Sequence, residues 1–225
     1  MVAEGLSEFV VVEALLAAIE PGAEFERLWP NTQVGGRPYG WRGVKAWCEE
    51  NSSKLETFLR GVEGREIDLL VVHLDGTMAH NVKAQRPCPP AKDTADALRG
   101  VIGTWLARTP LPPWLVPMTP MQSTDAWVVA ALFPPYIPKR CLGCAAAGTG
   151  CPHPLECDPD PESDLVRRKL LRRKNGEVKK PERDYLPLAK GAAAAWATVS
   201  ARCTEAARFE QELRAAVAAA PSFWP

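Results

Sequence analysis

The sequence predicts an α/β fold in which a mainly parallel sheet is flanked by helices. The clearest strand is the continuous apolar run Ile67–Leu74, as expected when both faces of a strand are covered. Up to residue 135, strand-like runs alternate with segments of helical periodicity, which is typical of parallel sheets. We therefore predict an α/β domain over residues 1–135, a Cys-rich segment over 136–163, and a basic segment with helices packing on the domain over 164–225.

Periodicity and turn residues place the individual elements in chain order. Met1–Ala3 is predicted to end a first strand, and Ser7 to cap a helix that stops at Pro21-Gly22. A further short strand is predicted over Leu115–Met118. The other predicted helices cover Trp41–Arg60, Thr94–Leu106, Gln122–Phe133 and Ala192–Ala220, the last interrupted near 202–204.

The composition is that of an ordinary globular protein and excludes several classes. Of 225 residues, 46% are hydrophobic and 24% charged, and Lys+Arg and Asp+Glu both total 27. No apolar run reaches the roughly 18 residues of a membrane span. The start carries Glu4 and Glu8 with no basic residue before Arg27, which argues against a secretory signal and favours the cytoplasm. In that reducing compartment, the seven cysteines are predicted to be core residues or metal ligands rather than disulfides.

Three acidic residues stand where strand-like runs give way to turns or helix starts. They are Glu4, Asp75 and Asp125. The carboxyl ends of parallel strands line one crevice, where ligands usually bind. Carboxylates gathered there repel one another unless a hard cation such as Mg²⁺ neutralises them. The sequence therefore predicts a metal-dependent phosphoryl-transfer or nuclease-like site, with helix capping as the alternative role of one or more of the three.

Two segments around these acids resemble TOPRIM domains, the fold shared by topoisomerases, primases and overcoming-lysogenization-defect nucleases. VAEGLSE is similar to their opening motif, and LLVVHLDG to the strand that ends in their Asp-x-Asp pair. The order of further elements is similar to one bacterial TOPRIM-like family, domain of unknown function 4276. Those elements are Gly40-Trp41, Asp125-Ala126-Trp127, Tyr185 to Lys190, and Cys203 to Phe209.

The resemblance implies a TOPRIM-like fold and divalent-metal chemistry on the phosphodiester bonds of nucleic acid. In such a site Glu4 would be a metal-associated carboxylate or general acid/base, and Asp75 would bind Mg²⁺ or Mn²⁺. Asp125 would contact the ion directly or through another group. Proteins of this kind are often encoded beside an ATPase, so an ATPase partner and a role in phage or mobile-element defence are implied as well.

This sequence departs from the pattern in two places. The second acid of an Asp-x-Asp pair is expected at 73 or 77, where His73 and Thr77 stand. The first strand is short, so either the sheet accepts a stub or the start codon lies upstream. The alternative function is a catalytically degenerate module that binds a partner ATPase or nucleic acid. His73 is predicted to be a core histidine rather than a ligand, and His80 to lie on a surface loop.

Four cysteines form a second constellation, with spacing that suits a structural zinc ion. Cys141 and Cys144 form a Cys-x-x-Cys pair, and Cys151 and Cys157 follow. Four thiolates bind Zn²⁺ tetrahedrally and leave no open position for catalysis. A small lobe of this kind gains stability from a metal ion, because it cannot build much core. Redox cysteines or plain loop cysteines are the alternatives, since the second pair is not a Cys-x-x-Cys.

A basic run begins after the cysteine-rich segment. On a helix it would form a cationic stripe that binds nucleic-acid phosphates. The alternative is a solvated helix face balanced by the acidic stretch Asp158–Asp164. The candidate nucleic-acid residues are Arg167, Arg168, Lys169, Arg172, Arg173 and Lys174.

Overall fold

The computed structural model describes residues 1–30, 39–61, 66–86, 88, 92–135, 144, 148 and 155–220. The first part of the chain contains α1 (Leu6–Ile19), α2 (Trp41–Asn51), α3 (Leu55–Gly61), β1 (Leu70–His73), a 3₁₀ turn (Gly76–Met78), α4 (Lys92–Trp105), β2 (Leu115–Met118) and α5 (Thr124–Leu132). The second part contains α6 (Pro161–Arg167), β3 (Arg172–Lys174), β4 (Glu177–Lys179), α7 (Glu182–Ala194), α8 (Trp196–Arg202) and α9 (Thr204–Ala219).

A small parallel sheet lies at the centre of the fold. β1 and β2 pair in parallel, with Leu70 opposite Leu115 and His73 opposite Met118. Val2 extends the sheet on the other side of β1 through a parallel bridge to Val72, and it also bridges Trp29. The Val2 amide donates to Val71 and the His73 amide donates to Val2, both at 2.9 Å. The predicted strand stub at the start of the chain is therefore part of the sheet.

Helices cover both faces of this sheet, so every residue of β1 and β2 is buried. Leu70, Val72 and Leu74 face a core shared with α2, α3 and α4. Val71 points the other way, into a core formed with α1, α5 and the carboxyl-terminal helices. This alternation of side chains along β1 is the period of two that every strand imposes. The α/β class predicted from the sequence is confirmed, and the carboxyl-terminal helices share a core with the amino-terminal elements.

Several predicted boundaries need correction. β2 has the predicted bounds, whereas β1 is shorter than Ile67–Leu74. Ser7 does not cap α1: the helix begins at Leu6 after Gly5, and the Ser7 hydroxyl donates to Glu8. The predicted helix over Trp41–Arg60 is two helices, separated at residues 52–54. The predicted interruption near 202–204 is confirmed, because α8 ends at Arg202 and α9 begins at Thr204.

The basic run does not form the predicted helical stripe. α6 ends at Arg167, Lys169 has a left-handed backbone (φ 62°), and residues 172–174 form β3. β3 pairs antiparallel with β4 around Asn175 and Gly176, whose φ angles of 53° and 81° suit a tight hairpin turn. The Asn-Gly dipeptide is the strongest short-range hairpin signal, so local turn chemistry prevails over helix propensity here.

In the described part of the chain, none of the helices combines the length and the apolar character needed to cross a membrane.

Candidate functional site

Glu4 and Asp75 meet at the carboxyl edge of the sheet, where their two strand segments end side by side. Glu4 follows Val2 by two residues, and Asp75 follows β1 by two. The backbone amide of Asp75 donates a 2.7 Å hydrogen bond to Glu4 Oε1. The Asp75 side chain keeps 18% of its surface exposed, so the site is open to solvent. The two strand ends that carry Glu4 and Asp75 thus lie side by side, and the Asp75 backbone contacts the Glu4 carboxylate.

His73, the last residue of β1, joins the same group. Its Nε2 lies 3.0 Å from Asp75 Oδ1 and 3.4 Å from Thr124 Oγ1. A carboxylate only accepts, so Nε2 carries the proton in the contact with Asp75. The imidazole is fully buried, as predicted for a core histidine. It also contacts a candidate site residue, and the prediction of a purely structural role missed this contact.

The proximity of these groups changes their proton affinities. Burial, followed by the negative charge of Asp75, raises the pKa of Glu4 to about 8. Burial opposes the charged form of His73, but the Asp75 carboxylate outweighs it and raises the pKa of His73 to about 9. Glu4 therefore holds a proton near neutral pH in the metal-free protein. A bound divalent cation would release this proton, because it favours the carboxylate form.

Glu8 adds a fourth acid to this edge, one that the sequence interpretation did not include. It lies in the first turn of α1, four residues after Glu4, and is buried. A side chain at Gly5 would place its Cβ 2.9 Å from Glu8 Oε2, so glycine leaves room for this carboxylate. Because Glu4 lies before α1, the helical i, i+4 rule does not apply to this pair, and the spacing of the two glutamates does not by itself identify Glu8.

The start of α2 closes the other side of Glu4. The Gly40 amide donates to the Glu4 carbonyl at 3.0 Å, and Gly40 has a φ of 71°. This left-handed backbone favours glycine, which has no Cβ to clash. A Cβ at this position would lie 3.8 Å from Glu4 Oε2. The Gly40-Trp41 element noted in the sequence therefore borders the candidate site.

Asp125 is buried at the start of α5 and is held by two residues from the carboxyl-terminal part. The Tyr185 hydroxyl donates to Asp125 Oδ1 at 2.8 Å. The Lys180 ammonium pairs with Asp125 Oδ2 and lies 3.1 Å from Glu162 Oε2. Burial opposes the charge of Lys180, yet these carboxylates raise its pKa. Burial, with the nearby Asp125 charge, raises the pKa of Tyr185 well above its ordinary value.

A close backbone contact fixes the loops that carry Asp75 and Asp125. Gly76 lies so near Met121 that an added Cβ would be 1.6 Å from the Met121 carbonyl oxygen. The Gly76 amide donates to Pro120 at 2.8 Å, and the Thr77 amide donates to Gln122 at 3.1 Å. Glycine is required here because the two backbones touch. The turn at Asp75-Gly76 therefore holds the loop of Asp75 against the loop that leads to Asp125.

Three cysteine side chains from separate parts of the chain meet next to these loops. Cys88 Sγ lies 3.3 Å from Cys144 Sγ and 3.8 Å from Cys157 Sγ. The three sulfur atoms all lie within 4.8 Å of one another, so they can hold one metal ion. Over the described ranges of the chain, no other group of three His, Cys, Asp or Glu ligand atoms is this tight. The predicted ligands Cys141 and Cys151 lie outside the described residues.

The six basic candidates for nucleic-acid binding are exposed but differ in their contacts. Arg167 pairs with Asp164, and the Arg168 guanidinium lies 3.8 Å from the centre of the Phe133 ring. The β3 residues Arg172, Arg173 and Lys174 are exposed on the hairpin. Lys180 is the first residue after β4, the second strand of this hairpin. Because Lys180 contacts Asp125, the base of the hairpin lies beside the acidic edge.

The structure thus places the Glu4 carboxylate on the Asp75 backbone amide and connects Asp125 to Asp75 through Thr124 and His73. The sequence interpretation missed Lys180 and Cys88, whose partners lie 55 and 56 residues away along the chain. No local pattern marks such long-range contacts. His80 is exposed on the loop after the 3₁₀ turn, as predicted.

Comparison of this chain with protein-family models, with curated proteins and with solved structures found no match.

Proposed function

We propose that this protein is a divalent-metal-dependent nuclease or phosphoryl-transfer protein of TOPRIM-like type that acts on nucleic acid. The observation that carries the proposal is the contact between Glu4 and Asp75 at the carboxyl edge of a parallel sheet. A role in phage or mobile-element defence, with an ATPase partner, is the biological setting that the motif resemblance adds.

The donor set suits Mg²⁺ or Mn²⁺. Mg²⁺ is commonly bound through one or two carboxylates, with water and substrate phosphate completing the shell. Glu4 Oε2 and Asp75 Oδ2 accept none of the hydrogen bonds described above, so these two oxygens would hold the ion. When bound, such an ion polarises a phosphoryl oxygen and makes a water molecule more acidic. The role of Asp125 is then to position Lys180 and Tyr185, because both of its oxygens are engaged.

His73 orients the Asp75 carboxylate and provides a proton donor at Nε2. Its Nε2 lies 3.0 Å from Asp75 Oδ1 and 3.4 Å from Thr124 Oγ1, so both oxygens contact the same ring nitrogen. This contact replaces the second acid of an Asp-x-Asp pair, since an imidazole N–H can fix the carboxylate rotamer. The β3–β4 hairpin supplies cationic side chains beside the edge, and these would bind the phosphates that flank the reacting bond.

The experiment is cleavage of supercoiled plasmid and of single-stranded DNA and RNA, in Mg²⁺ or Mn²⁺ and in EDTA. We expect metal-dependent cleavage that falls at least about 100-fold in Asp75→Asn, because the ion loses a charged ligand. Asp93→Asn is the matched control, since Asp93 is exposed at the start of α4. Equal activity in the wild type and Asp75→Asn, or activity that persists in EDTA, would contradict the proposal.

A second candidate is the catalytically degenerate module that binds an ATPase or nucleic acid. One observation favours it. Among the described residues, no three carboxylate groups have ligand oxygens within 4.8 Å of one another. Calorimetric titration with Mn²⁺ separates the two functions. Binding at one site that disappears in Asp75→Asn supports the enzyme, whereas absence of binding together with nucleic-acid affinity supports the module.

Zn²⁺ is the ion we propose for the cysteine cluster. Zn–S bonds of about 2.3 Å in a tetrahedral site place sulfur atoms roughly 3.8 Å apart. The separations of Cys88 Sγ from Cys144 Sγ and Cys157 Sγ, 3.3 and 3.8 Å, approach this spacing. Cys144 and Cys157 are buried and Cys88 is half-buried, so a closed structural site fits better than a catalytic one.

A further inference from the structure

The cysteine cluster touches the loops that form the acidic edge. Met121 is buried against Cys157 and Cys88. The carbonyl of the same Met121 lies against Gly76, the residue after Asp75. One methionine therefore packs against two cysteines of the cluster and contacts the candidate active-site turn through its backbone.

The cluster is also attached to the carboxyl-terminal helices. Glu156, next to Cys157, is fully buried and points at the first turn of α9. Its two carboxylate oxygens accept hydrogen bonds from the amides of Thr204 and Glu205, at 2.7 and 2.8 Å. These are amides that an isolated helix leaves without partners, so Glu156 caps α9 from a distant part of the chain. The cysteine cluster thus lies between α9 and the acidic edge.

We propose that one Zn²⁺ held by Cys88, Cys144 and Cys157 cross-links the acidic edge to the carboxyl-terminal helices and keeps the Gly76–Met121 contact formed. Cys88 is the essential ligand, because it alone of the three comes from the segment between Asp75 and α4. A fourth ligand would complete the tetrahedral site, and the Cys-x-x-Cys spacing to Cys144 predicts Cys141 for this position from the sequence alone. The cross-link rests on the zinc assignment proposed above and is independent of nuclease activity.

Elemental analysis of the purified full chain tests the ligand set. We expect about one zinc per wild-type chain and loss of most of it in Cys88→Ser, because a structural site needs four ligands. Cys48→Ser is the matched control, since Cys48 is buried in α2 outside the cluster. Cys141→Ser should also lose zinc, since Cys141 is the Cys-x-x-Cys partner of Cys144 in the sequence. Full zinc content in Cys88→Ser, or absence of zinc from the wild type, would overturn the proposal.

Hydrogen exchange on the wild-type protein tests the cross-link without a substitution that could impair folding. Zinc is removed with a chelator and then added back. The amides of Gly76 and Thr77, which donate to Pro120 and Gln122, should exchange at least about tenfold faster without zinc and recover on its return. Amides in the middle of α2 serve as the internal reference. Unchanged exchange at Gly76 and Thr77 after complete zinc removal would refute the cross-link, whatever the nuclease assays show.

Discussion

The Tyr185 hydroxyl donates a 2.8 Å hydrogen bond to Asp125 Oδ1, and both side chains are buried. This bond joins α7 to α5 across 60 residues of sequence. With Lys180 on the other carboxylate oxygen, Asp125 becomes a junction between the amino-terminal α/β elements and the carboxyl-terminal helices. The third acid of the predicted site is therefore a structural residue as well as a neighbour of the acidic edge.

Removing the charge of Asp125 should destabilise the protein strongly. In Asp125→Asn the half-buried Lys180 ammonium keeps only Glu162 as a charged partner, and the cost of about 3 kcal/mol is at the lower end for breaking a buried pair. Tyr185→Phe should cost about 1–2 kcal/mol, because it leaves one buried oxygen short of a donor. Urea denaturation measures both free energies of unfolding. A loss below about 1 kcal/mol in Asp125→Asn, accompanied by loss of Mn²⁺ binding, would instead identify Asp125 as a direct ligand.

Gly76→Ala should prevent the correct fold of the site or reduce the free energy of unfolding by at least about 3 kcal/mol. The new Cβ would lie 1.6 Å from the Met121 carbonyl oxygen, and backbone atoms cannot move aside as a flexible side chain can. Gly100→Ala is the matched control. Gly100 lies in α4 with nothing within 4 Å of an added Cβ, so alanine there should stabilise the helix by about 0.5–1 kcal/mol. Equal denaturation midpoints for the two variants would contradict the close contact.

The exposed cations of the β3–β4 hairpin should bind nucleic-acid phosphates if the protein acts on DNA. We expect the triple variant Arg172→Gln, Arg173→Gln, Lys174→Gln to bind duplex DNA more weakly. The slope of log affinity against log salt should also become shallower by about 2–3, since each phosphate contact contributes about 0.9. Fluorescence anisotropy at several salt concentrations measures both quantities.

A triple variant with the same charge change elsewhere controls for net charge. Lys54→Gln, Arg60→Gln and Lys83→Gln remove three exposed cations outside the hairpin. If this protein loses as much affinity and slope as the hairpin variant, DNA binding is not centred on the hairpin.

The contacts at the strand ends follow from rules that act over short stretches of chain. An apolar run, an Asp-Gly turn and the crevice rule suffice to predict that Glu4 and Asp75 meet, because parallel strands end at one edge. The positions of Lys180, Cys88 and Glu156 do not follow from such rules. Each meets partners about 50 or more residues away, so its role depends on how whole helices pack. The basic run shows a different limit, since the Asn175-Gly176 turn folds part of it into a hairpin where a helix was predicted.

Stability should fall as pH rises from about 4.5 to 7, because of two buried acids at the start of α9. Burial, opposed by the Thr204 and Glu205 amides, raises the pKa of Glu156 from 4.5 to about 7. Burial also raises the pKa of Glu205, whose side chain is 1% exposed. In this window the folded protein holds protons that the unfolded chain has released. The stabilisation is therefore complete below about pH 4.5 and is lost as pH rises through 7, by up to about 3 kcal/mol for Glu156.

Glu156→Gln isolates this effect, because glutamine resembles the protonated acid and cannot ionise. The variant and the wild type share the same cysteine cluster, so any pH effect of metal binding cancels in the difference between their free energies of unfolding. We expect the free energy of unfolding of the variant to increase relative to that of the wild type as pH rises from 4.5 to 7.5. Urea denaturation at steps of half a pH unit measures both. Glu13→Gln is the control, since Glu13 is exposed on α1. If the Glu156→Gln and wild-type curves stay parallel over this range, the buried carboxylate is ionised throughout, and the α9 amides stabilise its charge more than burial opposes it.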